Sequence, residues 1–542
     1  MQSRTTQARI QRLSSDIQQA EAREDLPRQV SLYKELAKLA PGTTLVHAKI
    51  SHLLHTLGDD EAAQPHVMQA LALPYDPASD QMLFEHLCKL PRYTEQADQA
   101  RSWYKARPTL TRFKLLHEAL THLNADEELE GTIHELLQTR LHPSEQSQLM
   151  TLLAQIYHRQ ARFHDCIACY QVGLELTPGN PTQMLNLASA NEHLGRYNEA
   201  LSLYEELLKI DPQHINGHHN LGILMLRLGE FELGWKQHEW RWLALQKEQQ
   251  HHFAIPRWEG QPLAGKTLLV WAEQGIGDHV MYANMFDDLR KTGAELHIEI
   301  YARLDGLFKQ SFPYINFLRR ELLGEDNVGD QKVFKQSWPK ADYQIPIGSL
   351  GSVLRTSRES FGTGTPYLTA NSELIDYYTN KYATLFPAKR LIGLSWRGGK
   401  ASFTRRQGRN TSPEELACLS QLSDVQFVDL QYDSNPEDVA SFHAAGLSIY
   451  HDDEVDPTGM LDAQAAQLMA LDAVITIDNT TVHLAGALGV PTYALIQLNP
   501  DWRWGVKSSD SLWYQSVRLY RNSTTADWKG PLQQIIKELS RD

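Results

Sequence analysis

Residues 473–491 read AVITIDNTTVHLAGALGVP. Four β-prone residues, 474–477, come first, and three small polar residues, Asn479, Thr480 and Thr481, follow. Then Leu484, Ala487 and Leu488 fall on one side of a helical pattern that Gly489 and Pro491 stop. A strand, a polar turn and a helix aim unpaired N–H groups and a positive dipole end at one point, where an anion, most often a phosphate, binds. The simpler reading is an ordinary α/β crossover with Asn479 as helix N-cap. A second turn of the same type weighs toward binding. Residues 267–273, TLLVWAE, read as a buried parallel strand, and Gln274, Gly275, Ile276, Gly277 and Asp278 as a glycine-bearing turn. Residues 279–291 come next as an amphipathic helix, and the lack of a glycine at 280 departs from the dinucleotide fingerprint.

Outward from these turns, strands and helices alternate. Strands are expected at 295–302, near 343–347, and at 391–396, 425–431, 447–451, 473–477 and 492–496. Helices are expected at 413–422, 436–445, 462–471 and 482–488, with a crossover of mixed character at 357–389 and a last strand and helix in 512–542. Such alternation makes parallel sheets, with the ligand crevice at the carboxyl ends of the strands. The fold class expected is therefore an α-helical repeat region followed by α/β in two Rossmann-like halves.

The first half of the chain repeats. Pro41, Pro74, Pro108, Pro143, Pro178 and Pro212 end similar segments at steps of 33 to 35 residues. Ala161, Gly195 and Gly229 fall 34 apart, as do Phe163, Tyr197 and Phe231, and Cys166, Ala200 and Gly234. Earlier units are degenerate. Paired helices at this period, with small residues where they touch, resemble the tetratricopeptide repeat, and LGRYNEALSLYEELLKIDP at 194–212 matches its consensus closely. Each hairpin buries its apolar face only by stacking on neighbours, so about seven units should form a superhelix with a groove suited to a peptide or protein.

With 542 residues, roughly two to four domains are expected. Hydrophobic residues at 42% and charged residues at 22% mark a globular chain. The net charge of −14 argues against a nucleic-acid partner. The N-terminus lacks an apolar signal region, no run of 18 apolar residues appears, and four cysteines suit a reducing compartment, so the expectation is a cytoplasmic protein with no membrane span. Several motif matches are set aside. Cys166 and Cys169 have metal-ligand spacing but no second pair, and Cys166 occupies the small-residue position of the repeat. His218, His219, His251 and His252 read as surface residues. GQPLAGKT at 260–267 satisfies the P-loop pattern, yet a strand comes after it where a helix is required. Asp452, Asp453 and Glu454 read as a solvated loop rather than a metal cluster, so no metal site is expected. Trp235, Trp240, Trp242 and Trp258 either join the repeats to the second half of the chain or cap them.

Four stretches then resemble known sequences. EQGIGD at 273–278 resembles the N-terminal turn of the heptosyltransferase-like family, and LSWRGG at 394–399 its donor-phosphate strand end. DNTTVHLAGALG at 478–489 resembles its DTxxxHLAxALG signature, with Asn479 in place of the usual Thr or Ser. NPDWRW at 499–504 is similar to a stretch found when that domain is fused behind tetratricopeptide repeats. The resemblance implies a glycosyltransferase of the B type, covers nearly the whole chain with the repeats, and leaves the sugar open. It implies domains at 1–245 (repeats), 246–262 (linker), 263–375 (acceptor side) and 376–542 (nucleotide-sugar side).

Asp278, in the acceptor-side turn Gln274, Gly275, Gly277 and Asp278, matches the family's candidate base; its alternative is an N-cap. Arg397, past a strand end beside Gly398 and Gly399, suits a phosphate and its stabilisation as it departs. The resemblance places Ser395 on the same donor-side strand end. Thr480 and Thr481 suit phosphate contact, His483 either the donor or a core hydrogen bond, and Gln431 the nucleotide, while Asn479 keeps its capping ability. Arg405, Arg406 and Arg409 read as loop charges, Arg409 standing where the family often has an Arg.

The leading expectation is a metal-independent, nucleotide-sugar-dependent glycosyltransferase using a CMP-, UDP- or GDP-linked donor and no other cofactor. The repeats would hold a protein acceptor. Bacterial flagellin-modifying enzymes share this domain order, which makes flagellin a candidate. The alternatives are a non-catalytic adaptor, or a transferase for a surface glycan or lipid-linked acceptor.

Overall fold

The computed structural model describes residues 4–73, 76, 79, 82–83, 93–244, 253–322, 334–335, 338–398, 408–523 and 527–541. Arg405, Arg406, Gly399, His251 and His252 lie outside them. The chain forms two compact units, Met1–Ile156 with Glu175–Thr177, and Tyr157–Leu174 with Pro178–Asp542. Among the described residues no helix is long and apolar enough to cross a membrane.

The first unit is helical. Helices Leu26–Leu39, Thr44–Thr56 and Asp60–Ala72 enclose a core of Val30, Val46, Ile50, Leu53, Leu54 and Ala63. Asp25 and Asp59 cap their helices through the backbone N–H three residues on.

The second unit begins with the last repeats. Helices Phe163–Leu176, Pro181–His193, Tyr197–Ile210, Ile215–Leu228 and Phe231–His238 form hairpins. Their 34-residue step has a backbone cause. Ala161, Gly195 and Gly229 carry φ of 57°, 70° and 91°, the left-handed residue that turns one helix into the next. Cys166 and Ala200 are fully buried, and a Cβ on Gly234 would lie 2.9 Å from the Leu226 nitrogen, so the position admits only small residues. Burial pushes the Cys166 thiol up to about 12, as suits a packing residue.

Two parallel sheets complete this unit. The first contains β1 (Thr267–Trp271), β2 (Glu295–Tyr301), β3 (Asn316–Leu322), β4 (Phe334–Lys335) and β5 (Tyr343–Pro346), in the order β4-β3-β2-β1-β5. Only β4 is antiparallel. The second contains β6 (Arg390–Ser395), β7 (Val425–Asp429), β8 (Ile449–Tyr450), β9 (Ala473–Ile477), β10 (Thr492–Ile496) and β11 (Val517–Arg521). Its order, β11-β10-β9-β6-β7-β8, is parallel throughout and is that of a doubly wound sheet, with the topological switch between β6 and β9. In the first sheet the switch lies between β1 and β5. The turns at 274–278 and 478–481 both leave the carboxyl ends of switch-point strands, β1 and β9. The tetratricopeptide-like helices with two Rossmann-like halves behind them are the expected fold class.

Several elements differ from expectation. β3, NFLRREL, was not legible as a strand because its polar side chains serve tertiary partners. Arg319 pairs with Asp305, and Arg320 donates to the Tyr301 hydroxyl at 3.2 Å. Helix Ser372–Leu385 lies in the segment of mixed character and buries only Tyr378 and Tyr382. The helix expected at 279–291 is two helices, Ile276–Tyr282 and Phe286–Lys291, with a 3₁₀ turn between them. Asp452 corrects the solvated-loop reading: it is buried, 2.8 Å from Lys381 Nζ, and accepts from Tyr382 Oη at 2.8 Å. His218 is likewise not a free surface residue, since it bonds Gln237 Oε1 at 2.6 Å and stacks on Trp240.

The tryptophans divide their work. Trp235 is buried and donates through Nε1 to the Arg355 carbonyl at 2.9 Å, and Trp242 packs on Trp271 of β1. Trp240 stays within the repeats on His218. Leu226, Phe231 and Trp235 of the last repeat share one core with Leu268, Val270 and Val474 of the two sheets and Val482 of helix Thr480–Leu488.

Candidate functional site

Glu273 lies just past the end of β1. Its carboxylate is buried and takes two hydrogen bonds from Arg241 of the short helix Arg241–Ala244, Nε–Oε2 at 2.9 Å and Nη2–Oε1 at 2.7 Å. Gly348 N adds a third at 2.8 Å. Arg241 also donates to Ser349 Oγ at 2.7 Å and pairs with Glu239, which pairs in turn with Arg257. A buried pair survives only when its remaining hydrogen-bonding groups are satisfied, as here. Gln274 then takes a left-handed φ of 62°, and its carbonyl accepts from Tyr301 Oη. Together these contacts aim the turn from both sides.

The turn opens helix Ile276–Tyr282. Asp278 Oδ2 accepts from Gly275 N at 2.9 Å, so the acid is an N-cap partner. Its second oxygen, Oδ1, lies 2.8 Å from Arg503 Nη1. One carboxylate thus both caps its helix and faces a cation from the second half.

At β9 the arrangement is similar. Asn479 caps helix Thr480–Leu488, its Oδ1 accepting from Thr481 N at 3.0 Å. Its Nδ2 donates to Ser395 Oγ at 2.7 Å, Ser395 donates to Gln431 Oε1 at 3.2 Å, and Gln431 Oε1 also accepts from the Trp396 and Arg397 nitrogens at 3.0 Å each. Ser395 and Gln431 are buried. These three side chains therefore knot the ends of β6, β7 and β9 together, and their polar atoms are engaged within the knot. Thr481 is buried in the first turn, whereas Thr480 is exposed beside the helix N-terminus. The two turns meet: a Cβ on Gly277 would lie 3.1 Å from His483 Cδ2 and 3.4 Å from Thr480 Oγ1.

Arg397 points into its own half. It donates through Nε to Asp433 Oδ1 at 2.9 Å and through Nη2 to Asp438 Oδ2 at 2.7 Å, which keeps Asp438 below the usual carboxylate range. Arg409, read from the sequence as a loop charge, instead reaches over Gly398 to donate through Nε to the Asp478 carbonyl at 2.7 Å.

A cleft of about 480 Å³ joins these parts. Gln274, Asp278, Arg409, Asp478 and the segment 497–503 line it, facing Phe163, Ser189, His193, Asn220 and Arg227 of the repeats. Burial raises Asp478 above its ordinary value, despite Arg409 nearby. Burial also works against charge on Asp501, yet Arg503 holds it at about 2. Burial lowers His193 to about 3, leaving a neutral ring stacked on Phe163 with centroids 4.4 Å apart. The cleft presents carboxylates, arginines and neutral polar groups in a confined space, as chemistry on a polar substrate requires.

Sequence reasoning assigned no role to Asp501, Arg503, Arg241 or the repeat residues Glu192 and Arg227. Arg227 pairs with Glu192, and Tyr204 Oη donates to Glu192 Oε1 at 2.6 Å. The signal available for Arg503 was its place in NPDWRW, two residues after an acid.

A tetratricopeptide-repeat family model (TPR repeat) matches residues 193–229. Protein FlbA of Caulobacter vibrioides is 29% identical over 384 residues, covering 69% of this chain. The match spans 63% of the length of that relative. The TPR repeat-containing thioredoxin TTL4 of Arabidopsis thaliana is 34% identical over 77 residues, covering 14% of this chain and 11% of its own length. Among solved structures, the glycosyl transferase family 9 protein of Veillonella parvula covers 52% of this chain and 98% of its own, at 14% identity and a TM-score of 0.37. YrrB, a TPR protein with an unusual peptide-binding site, covers 35% of this chain and 96% of its own, at 13% identity and a TM-score of 0.29. The chain carries tetratricopeptide repeats, with residues 193–229 matching the family model.

Proposed function

We propose that the chain is a nucleotide-sugar-dependent glycosyltransferase that modifies a protein acceptor. The observation that carries this reading is the shared cleft: Gln274 and Asp278 of the first turn, Asp478 before the second, and the inner helices of the last repeats line one space, and Thr480 lies against Gly277 beside it. A nucleotide diphosphate or monophosphate sugar sits with its phosphate at the N-terminus of helix Thr480–Leu488, where backbone N–H groups and the dipole favour an anion. An acceptor side chain enters along the repeat wall. Its oxygen attacks the anomeric carbon, the bond from that carbon to the phosphate oxygen breaks, and the acceptor proton passes to Asp278. Arg409 is the cation lining the cleft that offsets charge on the departing phosphate, and Arg397 would join it only by leaving Asp433 and Asp438. Flagellin is the acceptor to test first, on the shared order of repeat and transferase domains.

A non-catalytic adaptor is the second reading, favoured by the engagement of Ser395, Gln431 and Arg397 within the second half. One assay separates the two. Full-length protein is offered CMP-, UDP- and GDP-linked sugars with and without acceptor, and nucleotide release is measured. The transferase reading expects release with one donor class. It also expects Asp278→Ala to cut turnover by about a hundredfold or more, the scale of a lost general base, while calorimetric affinity for the nucleotide stays the same. No release with any donor would leave the adaptor reading standing.

A further inference from the structure

We propose that Arg503, aimed by His483, is the positioning residue that sets the orientation of Asp278. This deepens, and rests on, the transferase reading of the cleft.

Arg503 lies in the short turn Trp502–Trp504 and is nearly buried. Its Nε is 2.8 Å from Asp501 Oδ1, and its Nη1 is 2.8 Å from Asp278 Oδ1. The same Nη1 lies 3.3 Å from His483 Nε2. A guanidinium can only donate, so His483 Nε2 is the acceptor and the ring proton sits on Nδ1. Nδ1 lies 2.8 Å from the Tyr514 hydroxyl, to which it donates. Burial drives His483 far below its ordinary range, consistent with a neutral ring in one fixed tautomer. Tyr514 is hydrogen-bonded to Tyr367, and Tyr367 Oη donates to the Val280 carbonyl at 2.7 Å. With that proton committed, Tyr514 donates to Tyr367.

The chain Arg503, His483, Tyr514, Tyr367 runs in one donor sense and ends on Val280. That residue belongs to helix Ile276–Tyr282, which also bears Asp278. The second half therefore grips that helix twice, at the Asp278 carboxylate and at the Val280 carbonyl. Two glycines make the grip possible. A Cβ on Gly486 would lie 2.6 Å from Tyr514 Cγ, and one on Gly277 would lie 3.1 Å from His483 Cδ2. Trp504 stacks on the His483 ring with centroids 5.2 Å apart and fixes its plane. His483 thus has both nitrogens engaged and its face covered, so its work is to orient Arg503 rather than to hold the donor. Arg503 in turn fixes the one Asp278 oxygen that the helix cap leaves over.

The test uses the full chain and the variants Arg503→Ala, Arg503→Lys and His483→Ala, with thermal melts to confirm folding. Arg503→Ala should lower kcat by about ten- to a hundredfold, the scale of one charge-assisted contact, with no change in donor affinity by calorimetry. Arg503→Lys should recover part of that loss, and His483→Ala should show a smaller fall in kcat alone. Loss of donor affinity at unchanged kcat would instead make Arg503 a donor ligand and overturn the proposal. A readout independent of turnover is nitrogen NMR on histidine-labelled protein, with the His483 signal identified by its disappearance in His483→Ala. The Nδ1–H tautomer is expected, with a shifted Nε2 in Arg503→Ala. An Nε2–H tautomer, or an Nε2 indifferent to Arg503→Ala, overturns the positioning chain. If no donor is turned over by the wild type, the transferase reading fails on that assay alone, while the NMR result still decides whether the chain exists.

Discussion

Asp278 shows how a residue identified by motif takes its meaning from contacts. As an acid three residues into a helix it reads equally as a cap or a base, and its two oxygens face different partners, one the helix N-terminus and one Arg503. Arg397 is the converse. Its position beside a switch-point strand suits a phosphate, yet its guanidinium is held by Asp433 and by both oxygens of Asp438. To meet a phosphate it must leave them. Asp438→Asn removes the competing charge and should therefore tighten nucleotide binding several-fold, since a charge-assisted contact is worth roughly 1.5–3 kcal/mol. Calorimetry with the nucleotide checks this. An unchanged affinity would mean that Arg397 serves to anchor helix Pro436–Ala444 and takes no part in holding the donor.

At the scale of elements, the repeats and the parallel strands were legible wherever local chemistry and burial agree. β9 and β10 coincide with their expected bounds, because a strand buried on both faces must be apolar throughout. The repeat register was legible because each unit needs one left-handed residue and one small residue at fixed places. Ala161, like Glu24 and Asn124 in earlier units, is a left-handed residue that is not glycine, and the backbone strain there carries a prediction. Ala161→Gly relieves a left-handed Cβ clash worth about 1–2 kcal/mol, less the entropy of a glycine. It should raise the melting temperature slightly. A lower melting temperature would show that the alanine methyl is needed for packing. What was not legible, β3 and helix Ser372–Leu385, is polar in sequence because it is tied down by hydrogen bonds and ion pairs rather than by an apolar face.

At the scale of the molecule, the last repeats belong to the body of the second unit through a buried polar network as well as a shared core. Glu239 reports on it. Burial works against its charge, but Arg241 and Arg257 together hold it at about 2 instead of 4.5. A carboxyl depressed on folding contributes stability above its unfolded value and loses it as pH falls toward the folded value. The contribution, at most about 3 kcal/mol at neutral pH, should therefore fade between pH 4.5 and about 2. Melts of wild type and Glu239→Gln should differ clearly near neutrality and converge at low pH. A gap independent of pH would assign the effect to packing.

The residues by themselves determined the helical repeats, the two parallel-sheet halves and the two turns at the switch-point strands. Each of these depends on local backbone geometry and on burial, which residue type and spacing record directly. Only the tertiary structure decided what the turns face. Long polar side chains such as Arg503, Arg409, Arg241 and Arg397 choose among carboxylates and carbonyls brought close from distant parts of the chain, and the choice depends on distance and desolvation, which no local pattern encodes.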